Sequence, residues 1–302
     1  MGLLKECLGR LRKVPPEHFL LLLLAMTAVS LWMFVIHVLP KPLEVTFFDV
    51  GKGDAILIRG PKGRTVLIDG GSSNVPDVGK SLLVPNLMVL GVRRLDAIIM
   101  THPDSDHING IPAILAAIPV GMILDPEMPD EETCYQQLVT VASDKGIPRF
   151  RVRAGDEVNL GAGARLRILA PGTTLLTGTT SDTNNNSVVC LLEYRHARML
   201  LTGDLESEGE HQLLAQHVDL HADVLKVAHH GSRNGTTTEF FHTVAPAMAV
   251  ISCPTGGSGI HPAPETLARL RAGGIKILRT DVSGQIRLHT DGNGWQVKTF
   301  RQ

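Results

Sequence analysis

The feature that most constrains this sequence is the stretch THPDSDH at residues 101–107, which directly follows the apolar run LDAIIM. Four of its side chains can bind a metal ion: His102, Asp104, Asp106 and His107. A strand that runs into such a loop brings these side chains to one edge of a sheet, where they converge. Imidazole and carboxylate ligands together suit zinc, manganese or iron, and the lack of a thiolate argues against a purely structural zinc site. The alternative is a solvated turn, because Asp, Ser and Pro are common turn formers.

Three further predicted strands end in residues of the same kind. TVLIDGG contains Asp69, MLLTGD ends at Asp204, and DVLKVAHHGS contains His229 and His230. Charged carboxylates at the ends of apolar strands are costly unless they are paired or metal-bound. We therefore expect these residues to join the loop at 101–107 in one metal site.

The N-terminal part of the chain carries an apolar run from Phe19 to Leu39. Its length is close to the ~20 residues that cross a bilayer as a helix, so it predicts a transmembrane anchor at 19–39. A cleaved signal peptide is the alternative, with AVS as a small-residue site. The apolar run continues beyond that site through LWMFVIHV, which a signal peptide does not need.

The charge around this run predicts its orientation. The basic residues that precede it are Lys5, Arg10, Arg12 and Lys13. Only Lys41 follows closely, so the positive-inside rule places the N-terminus in the cytoplasm. The predicted organisation is a cytoplasmic segment at 1–18, a single span of the cytoplasmic membrane, and an extracytoplasmic folded domain at 40–302.

From Leu43 onward the chain alternates short β-branched strands with amphipathic helices, separated by Gly, Pro and Lys turns. The same alternation recurs in the second half, from RLRILAP to KILRT. Two similar halves predict an α/β fold with two sheets packed together and helices outside. A chain of 302 residues with 43% hydrophobic content can bury such a core. The segment PGTTLLTGTTSDTNNN is predicted to be a surface loop.

Overall charge and cysteine content exclude some classes of protein. The net charge of −1 is close to neutral, so a polyanionic substrate needs a local patch to hold it. The cysteines, Cys7, Cys134, Cys190 and Cys253, include no C-x-x-C pair. Neither a zinc ribbon nor a disulfide framework is therefore indicated.

The ordered motifs VTFFDVGKGDAILIR, LIDGG, THPDSDHING, LLTGD and LKVAHHGS, with the late segment that begins at His261, resemble the metallo-β-lactamase superfamily. More narrowly, they are similar to the extracytoplasmic metallo-hydrolase domain at the C-terminal end of ComEC competence proteins, which take up DNA. The resemblance covers the chain from Leu43 to its end. It implies an αββα sandwich with metals at one edge of the sheets, preceded here by one transmembrane helix.

The resemblance implies the metal ligands, which are His102, Asp104, Asp106, His107, Asp204, and His229 or His230. Asp69 matches the aspartate that orients the metal-binding loop through hydrogen bonds. Asp204 matches the bridging carboxylate. One of the pair His229 and His230 matches the last histidine ligand, and the sequence leaves open which.

Two departures from the family pattern alter the expected metal content. In the signature H-x-H-x-D-H, Asp104 stands in place of the second histidine. The usual histidine before Asp204 is missing, and Asn186 and Ser187 occupy its neighbourhood. One firmly bound divalent ion and a weaker or absent second one are therefore expected. More oxygen donors favour Mn²⁺ or Mg²⁺, although affinity order alone favours Zn²⁺.

Such a site suits phosphoryl oxygens, so phosphodiester hydrolysis is expected in preference to lactam opening. Asp106, Lys226 and His261 are the candidate catalytic residues, and Ser232 and Arg233 are candidates for holding a phosphate. The main hypothesis is an outward-facing phosphodiesterase or nuclease that acts on DNA. The alternatives are a non-catalytic accessory module of a DNA-uptake channel, or a hydrolase of teichoic acid, another phosphodiester, a lactam or a thioester.

Overall fold

The computed structural model describes residues 15–38, 41–128, 133–255 and 261–301. The chain divides into two compact units, Met1–Pro40 and Lys41–Gln302. The first unit contains helix α1, Pro16–Val38. Its stretch Pro16–Phe34, with a mean hydropathy of 1.7, is long and apolar enough to cross a membrane. The basic residues that precede this helix, and Leu39, lie outside the described residues.

Within the described part of the second unit, the strands form two sheets. The first contains β1 Leu43–Phe47, β2 Ile56–Arg59, β3 Thr65–Ile68, β4 Ala97–Ile99, β5 Ile123–Asp125, β6 Arg149–Arg151, β14 Ile286–Thr290 and β15 Gln296–Thr299. Their order is β15-β14-β1-β2-β3-β4-β5-β6. The second contains β7 Glu157–Gly161, β8 Ala164–Ala170, β9 Val189–Tyr194, β10 Ala197–Leu201, β11 Val224–Lys226, β12 Met248–Ile251 and β13 Lys276–Arg279, in the order β13-β12-β11-β10-β9-β8-β7.

Helices and turns connect these strands. They are the π-helical turn Gly79–Leu83, α2 Val84–Val89, α3 Ser105–Ile108, α4 Ile111–Ala117, α5 Thr133–Asp144, α6 Asp182–Asn185, α7 Ser207–Ala215, the turn Ala228–Gly231, α8 Thr238–Val244, α9 Pro264–Ala272 and α10 Thr280–Ser283. The helix predicted from KSLLVPNLMVLG is present. Pro85 lies in the first turn of α2, directly after the π-helical turn Gly79–Leu83.

Buried apolar side chains form three layers. One lies between the sheets and includes Phe47, Ile99 and Leu201. A second joins the first sheet to helices around it, and a third joins the second sheet to α8 and α9. This is the αββα sandwich that the two similar halves predict.

The C-terminal hairpin β14–β15 departs from the sequence-based expectation, which stops at KILRT. β14 pairs antiparallel with β1, so that Val45 lies opposite Leu288. The second half of the chain thus completes the first sheet.

The strand directions place the chemistry at one edge. β3 and β4 run parallel in the first sheet, and β10 and β11 run parallel in the second. The residues that follow these strands are Asp69, His102, Asp204 and the pair His229–His230. Their carboxyl ends therefore present the predicted ligands together.

Candidate metal centre

Hydrogen bonds from Asp69 and Thr101 orient two buried histidines. Asp69 Oδ1 accepts from the Thr101 amide at 2.8 Å, and Asp69 Oδ2 accepts from the Thr101 hydroxyl at 2.7 Å. Asp69 Oδ2 also lies 2.8 Å from His107 Nδ1, and Thr101 Oγ1 lies 2.9 Å from His102 Nδ1. A carboxylate only accepts, so His107 carries its proton on Nδ1 when neutral and keeps the Nε2 lone pair free.

Asp204 forms the centre of the cluster. Its Oδ2 atom lies 3.2 Å from His107 Nε2, 3.4 Å from His230 Nε2 and 3.7 Å from His229 Nε2. Asp106 Oδ2 lies 3.8 Å from His230 Nε2. The strand ends therefore bring together ligands from both halves of the sandwich.

The available donor atoms fit a divalent metal ion. Within the described residues, the buried Nε2 atoms of His102, His107 and His230 have no hydrogen-bond partner. His102, His107 and Asp204 offer ligand atoms within 4.8 Å of one another, and so do Asp106, His107 and His230. Imidazole nitrogens that converge with carboxylates are the donor chemistry of such an ion.

The field of the cluster favours positive charge. Burial lowers the pKa of His107, but Asp204 and Asp69 outweigh burial and raise that pKa well above its usual value. Burial raises the pKa of Asp204, yet His230 and His107 bring it well below its usual value. The pKa of Asp106 is also lowered, because His107 and His230 outweigh burial. A cation placed among these carboxylates is therefore stabilised.

The two adjacent histidines have different hydrogen-bond partners at Nδ1. Both have left-handed backbone conformations, with φ of 46° at His229 and 53° at His230, which β-carbon-bearing residues adopt at a cost. This turn sends the side chains to different partners. His230 Nδ1 donates to the Ser252 carbonyl at 3.1 Å, leaving Nε2 toward Asp204, whereas His229 Nδ1 lies 2.9 Å from Glu206 Oε1.

Lys226 is fully buried beside the cluster. Its Nζ atom contacts Asp54 Oδ2, donates to the Gly203 carbonyl at 2.8 Å, and lies 3.6 Å from Asp204 Oδ1. Burial lowers the pKa of Lys226, but Asp54 and Asp204 outweigh burial and raise it above its usual value. The Lys226 side chain is only 1% exposed and faces carboxylates and a carbonyl instead of an open cleft. A residue that protonates a leaving group, the role expected from the sequence, needs access to substrate.

The residues predicted around the missing histidine differ in position. Ser187 Oγ lies 3.4 Å from His102 Nδ1 and accepts from the Asp204 amide at 3.2 Å. Asn186 is not brought to the cluster. Its side-chain amide instead donates to the carbonyls of Leu176 and Asp182, and these hydrogen bonds hold two parts of the long loop together.

The other predicted site residues lie at the rim. Asp104 is half exposed, with Oδ2 3.5 Å from His102 Nε2. The His261 ring lies 5.2 Å from that of His229, and burial together with His229 and His230 lowers the pKa of His261 to about 4. Ser232 is buried, and its hydroxyl accepts from the Asn234 amide at 3.2 Å.

Arg233 is exposed at the same rim turn. Its guanidinium can therefore meet a ligand from solvent, as the sequence-based expectation requires.

Sequence reasoning assigned no role to Asp54, Glu206 or Thr101, each of which contacts a predicted site residue. Asp54 lies in the quoted motif GKGDAILIR, where a carboxylate after two glycines is typical of a turn. Glu206 follows Asp204 by two residues in GDLE. The sequence signal for Asp54 is a carboxylate directly before an apolar strand, and the signal for Glu206 is a carboxylate close to a predicted ligand.

Close backbone packing holds the 106–107 turn in place. A Cβ atom at Gly71 would lie 2.5 Å from the carbonyl carbon of Asp106 and the amide nitrogen of His107. The Gly70 amide donates to the His107 carbonyl at 2.7 Å. The DGG motif therefore supplies both the orienting carboxylate and the space for the ligand turn.

Comparisons with known proteins agree with this geometry. A family model described as the metallo-beta-lactamase superfamily matches residues 48–253. ComE operon protein 3 of Bacillus subtilis (strain 168) is 31% identical over 272 residues, covering 86% of this chain and 34% of that protein. Competence protein ComA of Neisseria gonorrhoeae is 32% identical over 264 residues, covering 85% and 34%. The chain thus spans about a third of the length of these relatives.

A solved structure shows the same fold. The crystal structure of CmlA, a diiron β-hydroxylase from Streptomyces venezuelae, matches with a TM-score of 0.55 and 14% sequence identity. The match covers 83% of this chain and 55% of that one. At this identity the likeness concerns the fold alone.

Proposed function

Because the chain belongs to the metallo-β-lactamase superfamily, we propose that it is a membrane-anchored, metal-dependent phosphodiesterase that acts on DNA. The observation that carries this proposal is the convergence of three buried, unpartnered Nε2 atoms on the Asp204 carboxylate. Such an arrangement is expensive in a folded protein unless a cation completes it.

The residues that would hold the ion are His102, His107, His230, Asp106 and Asp204. A bound divalent ion supplies Lewis acidity, which polarises a phosphoryl oxygen and acidifies water at this place. Asp69 keeps His107 in the required tautomer, and the Ser252 carbonyl does the same for His230. These hydrogen bonds prepare the site before substrate binds.

His229 is our candidate for proton transfer to the leaving group. Glu206 Oε1 accepts a hydrogen bond from its Nδ1 atom, so that Nε2 remains the atom that gains or loses a proton. Its side chain is 20% exposed, and it borders the cluster without being buried in it. His261 lies beside it at the rim, where it can orient a substrate, and the exposed Arg233 is available for a phosphate.

The ligand set supports a phosphodiester substrate. Beside these ligands, Asp104 stands in place of one histidine of the family pattern, and Asn186 and Ser187 occupy the neighbourhood of another, so this side of the centre offers oxygen where the family offers nitrogen. Oxygen donors favour Mn²⁺ and Mg²⁺, which bind phosphoryl oxygens well. DNA is the substrate we infer from the competence proteins among the relatives, with the anchor holding the hydrolase domain at the outer face of the cytoplasmic membrane.

The same substitutions favour a second candidate, a non-catalytic module that binds a DNA-uptake channel. Loss of two imidazole ligands weakens one side of the centre, and Asp104 is half exposed there. Retention of the orienting carboxylate Asp69 and of the unpartnered histidine nitrogens favours the enzyme.

The test is cleavage of bis-p-nitrophenyl phosphate, and then of single- and double-stranded DNA, by the full chain in detergent micelles with Mn²⁺, Mg²⁺ or Zn²⁺. We expect metal-dependent turnover that an Asp106→Ala/His107→Ala variant lacks. The matched control is Asp144→Ala/His221→Ala, which removes an exposed aspartate and an exposed histidine. Absence of turnover with every metal, from folded protein, would favour the non-catalytic module.

A further inference from the structure

We propose that the Lys226 ammonium, held by Asp54, is a resident cation that takes the place of a second metal ion, so that each chain binds one divalent ion. This inference rests on the proposed metal centre. It gives a role to Asp54, which belongs to no predicted ligand set, and a new role to Lys226.

The first argument is the position of the ammonium. Asp54, Asp204 and His230 offer ligand atoms within 4.8 Å of one another, a grouping that could itself hold an ion. Lys226 Nζ contacts Asp54 Oδ2 and lies 3.6 Å from Asp204 Oδ1. The ammonium therefore already places a positive charge beside Asp54 and Asp204, two of the three residues in this grouping.

The second argument concerns the two oxygens of Asp204. A carboxylate that bridges two metal ions offers one oxygen to each. Here Oδ2 lies near the histidine Nε2 atoms, whereas Oδ1 faces Lys226 at 3.6 Å. Asp204 is thus arranged to bridge one metal ion and one ammonium.

The third argument is that the ammonium is fixed in place. Lys226 donates to the Gly203 carbonyl at 2.8 Å, one residue before Asp204. The Thr202 hydroxyl donates to the Lys226 carbonyl at 2.8 Å, so the two neighbouring strands lock the backbone of this residue. A buried cation with these contacts cannot swing out to admit an ion without leaving Asp54 unpaired.

The test counts ions without measuring turnover. The full chain in detergent micelles is titrated with Mn²⁺, the bound metal is quantified by mass spectrometry, and electron paramagnetic resonance separates isolated from spin-coupled ions. We expect one isolated Mn²⁺ in the natural protein. Lys226→Met, which keeps an unbranched side chain one atom shorter and removes its charge, should bind two Mn²⁺ that are spin-coupled, because Asp54 becomes available as a ligand.

Two further variants control this test. Lys226→Gln removes the charge but retains a donor for the Gly203 carbonyl, so it serves if Lys226→Met does not fold by circular dichroism. Lys226→Arg keeps the charge and should bind one ion. Two spin-coupled ions in the natural protein would overturn the inference, whatever the variants bind. A folded neutral variant that still binds one Mn²⁺ ion would also overturn it. No bound ion in the natural protein would instead refute the proposed metal centre.

Discussion

The hydrogen bonds of Asp69 allow a quantitative prediction for Asp69→Asn. The carboxylate accepts three hydrogen bonds, two from Thr101 and one from His107 Nδ1. The variant has nearly the same shape, but one acceptor oxygen becomes an NH₂ group. That group faces a donor whichever way the amide is turned, because donors surround both oxygens.

The magnitude follows from these contacts. Leaving one buried donor without an acceptor costs about 1–3 kcal/mol of stability. Loss of the carboxylate also makes His107 a weaker ligand, and removing such a partner typically weakens metal binding 10–100-fold. That range corresponds to about 1.4–2.8 kcal/mol of binding free energy.

The assay pairs calorimetric titration of Mn²⁺ with urea unfolding of the metal-free full chain in detergent. The matched control is Asp125→Asn, a buried carboxylate that lies 2.7 Å from Arg149 Nη2 and whose hydrogen bonds go to Arg149 and the Glu127 amide instead of to the cluster. The control should lose stability and keep its metal affinity. Unchanged metal affinity in Asp69→Asn, with stability lowered, would refute the orienting role of Asp69.

Further predictions concern the ligand turn, the long loop and a cysteine. Gly71→Ala should abolish Mn²⁺ binding in calorimetry, because the new methyl group meets the backbone at 106–107 at 2.5 Å. The hydrogen bond from the Thr180 hydroxyl is the largest of the contacts that lower the pKa of Glu208 to about 2 from its usual 4.5. Glu208 therefore stabilises the fold above pH 4.5, and its contribution disappears as the pH falls toward 2. The difference in unfolding free energy between the natural protein and Glu208→Gln should shrink over that window. Burial and Asp281 raise the pKa of Cys253 to about 12, so iodoacetamide at pH 8 should leave it unmodified until the protein is unfolded, as read by mass spectrometry.

The parts of the centre that the sequence could predict are those in which the ligands are close along the chain. His102 and His107 both lie in the short segment that follows β4, so their closeness along the chain is enough to group them. The sandwich was predictable for the same reason, because strand and helix signals repeat locally.

The parts that could not be predicted depend on three-dimensional pairing. Lys226 lies on β11 and Asp54 lies in the turn before β2, and no local pattern shows that they meet. His229 and His230 are adjacent and chemically identical. Both Nε2 atoms approach Asp204, and the backbone dihedral angles of their turn decide that Nδ1 of His230 meets the Ser252 carbonyl while Nδ1 of His229 meets Glu206.

The pairing of β1 has a consequence for synthesis on the ribosome. β1 lies between β14 and β2, so β1 remains half paired until residues 286–290 have been translated. A nascent chain that stops short of them exposes an edge that can recruit another chain. Premature termination should therefore yield aggregation instead of a smaller folded domain.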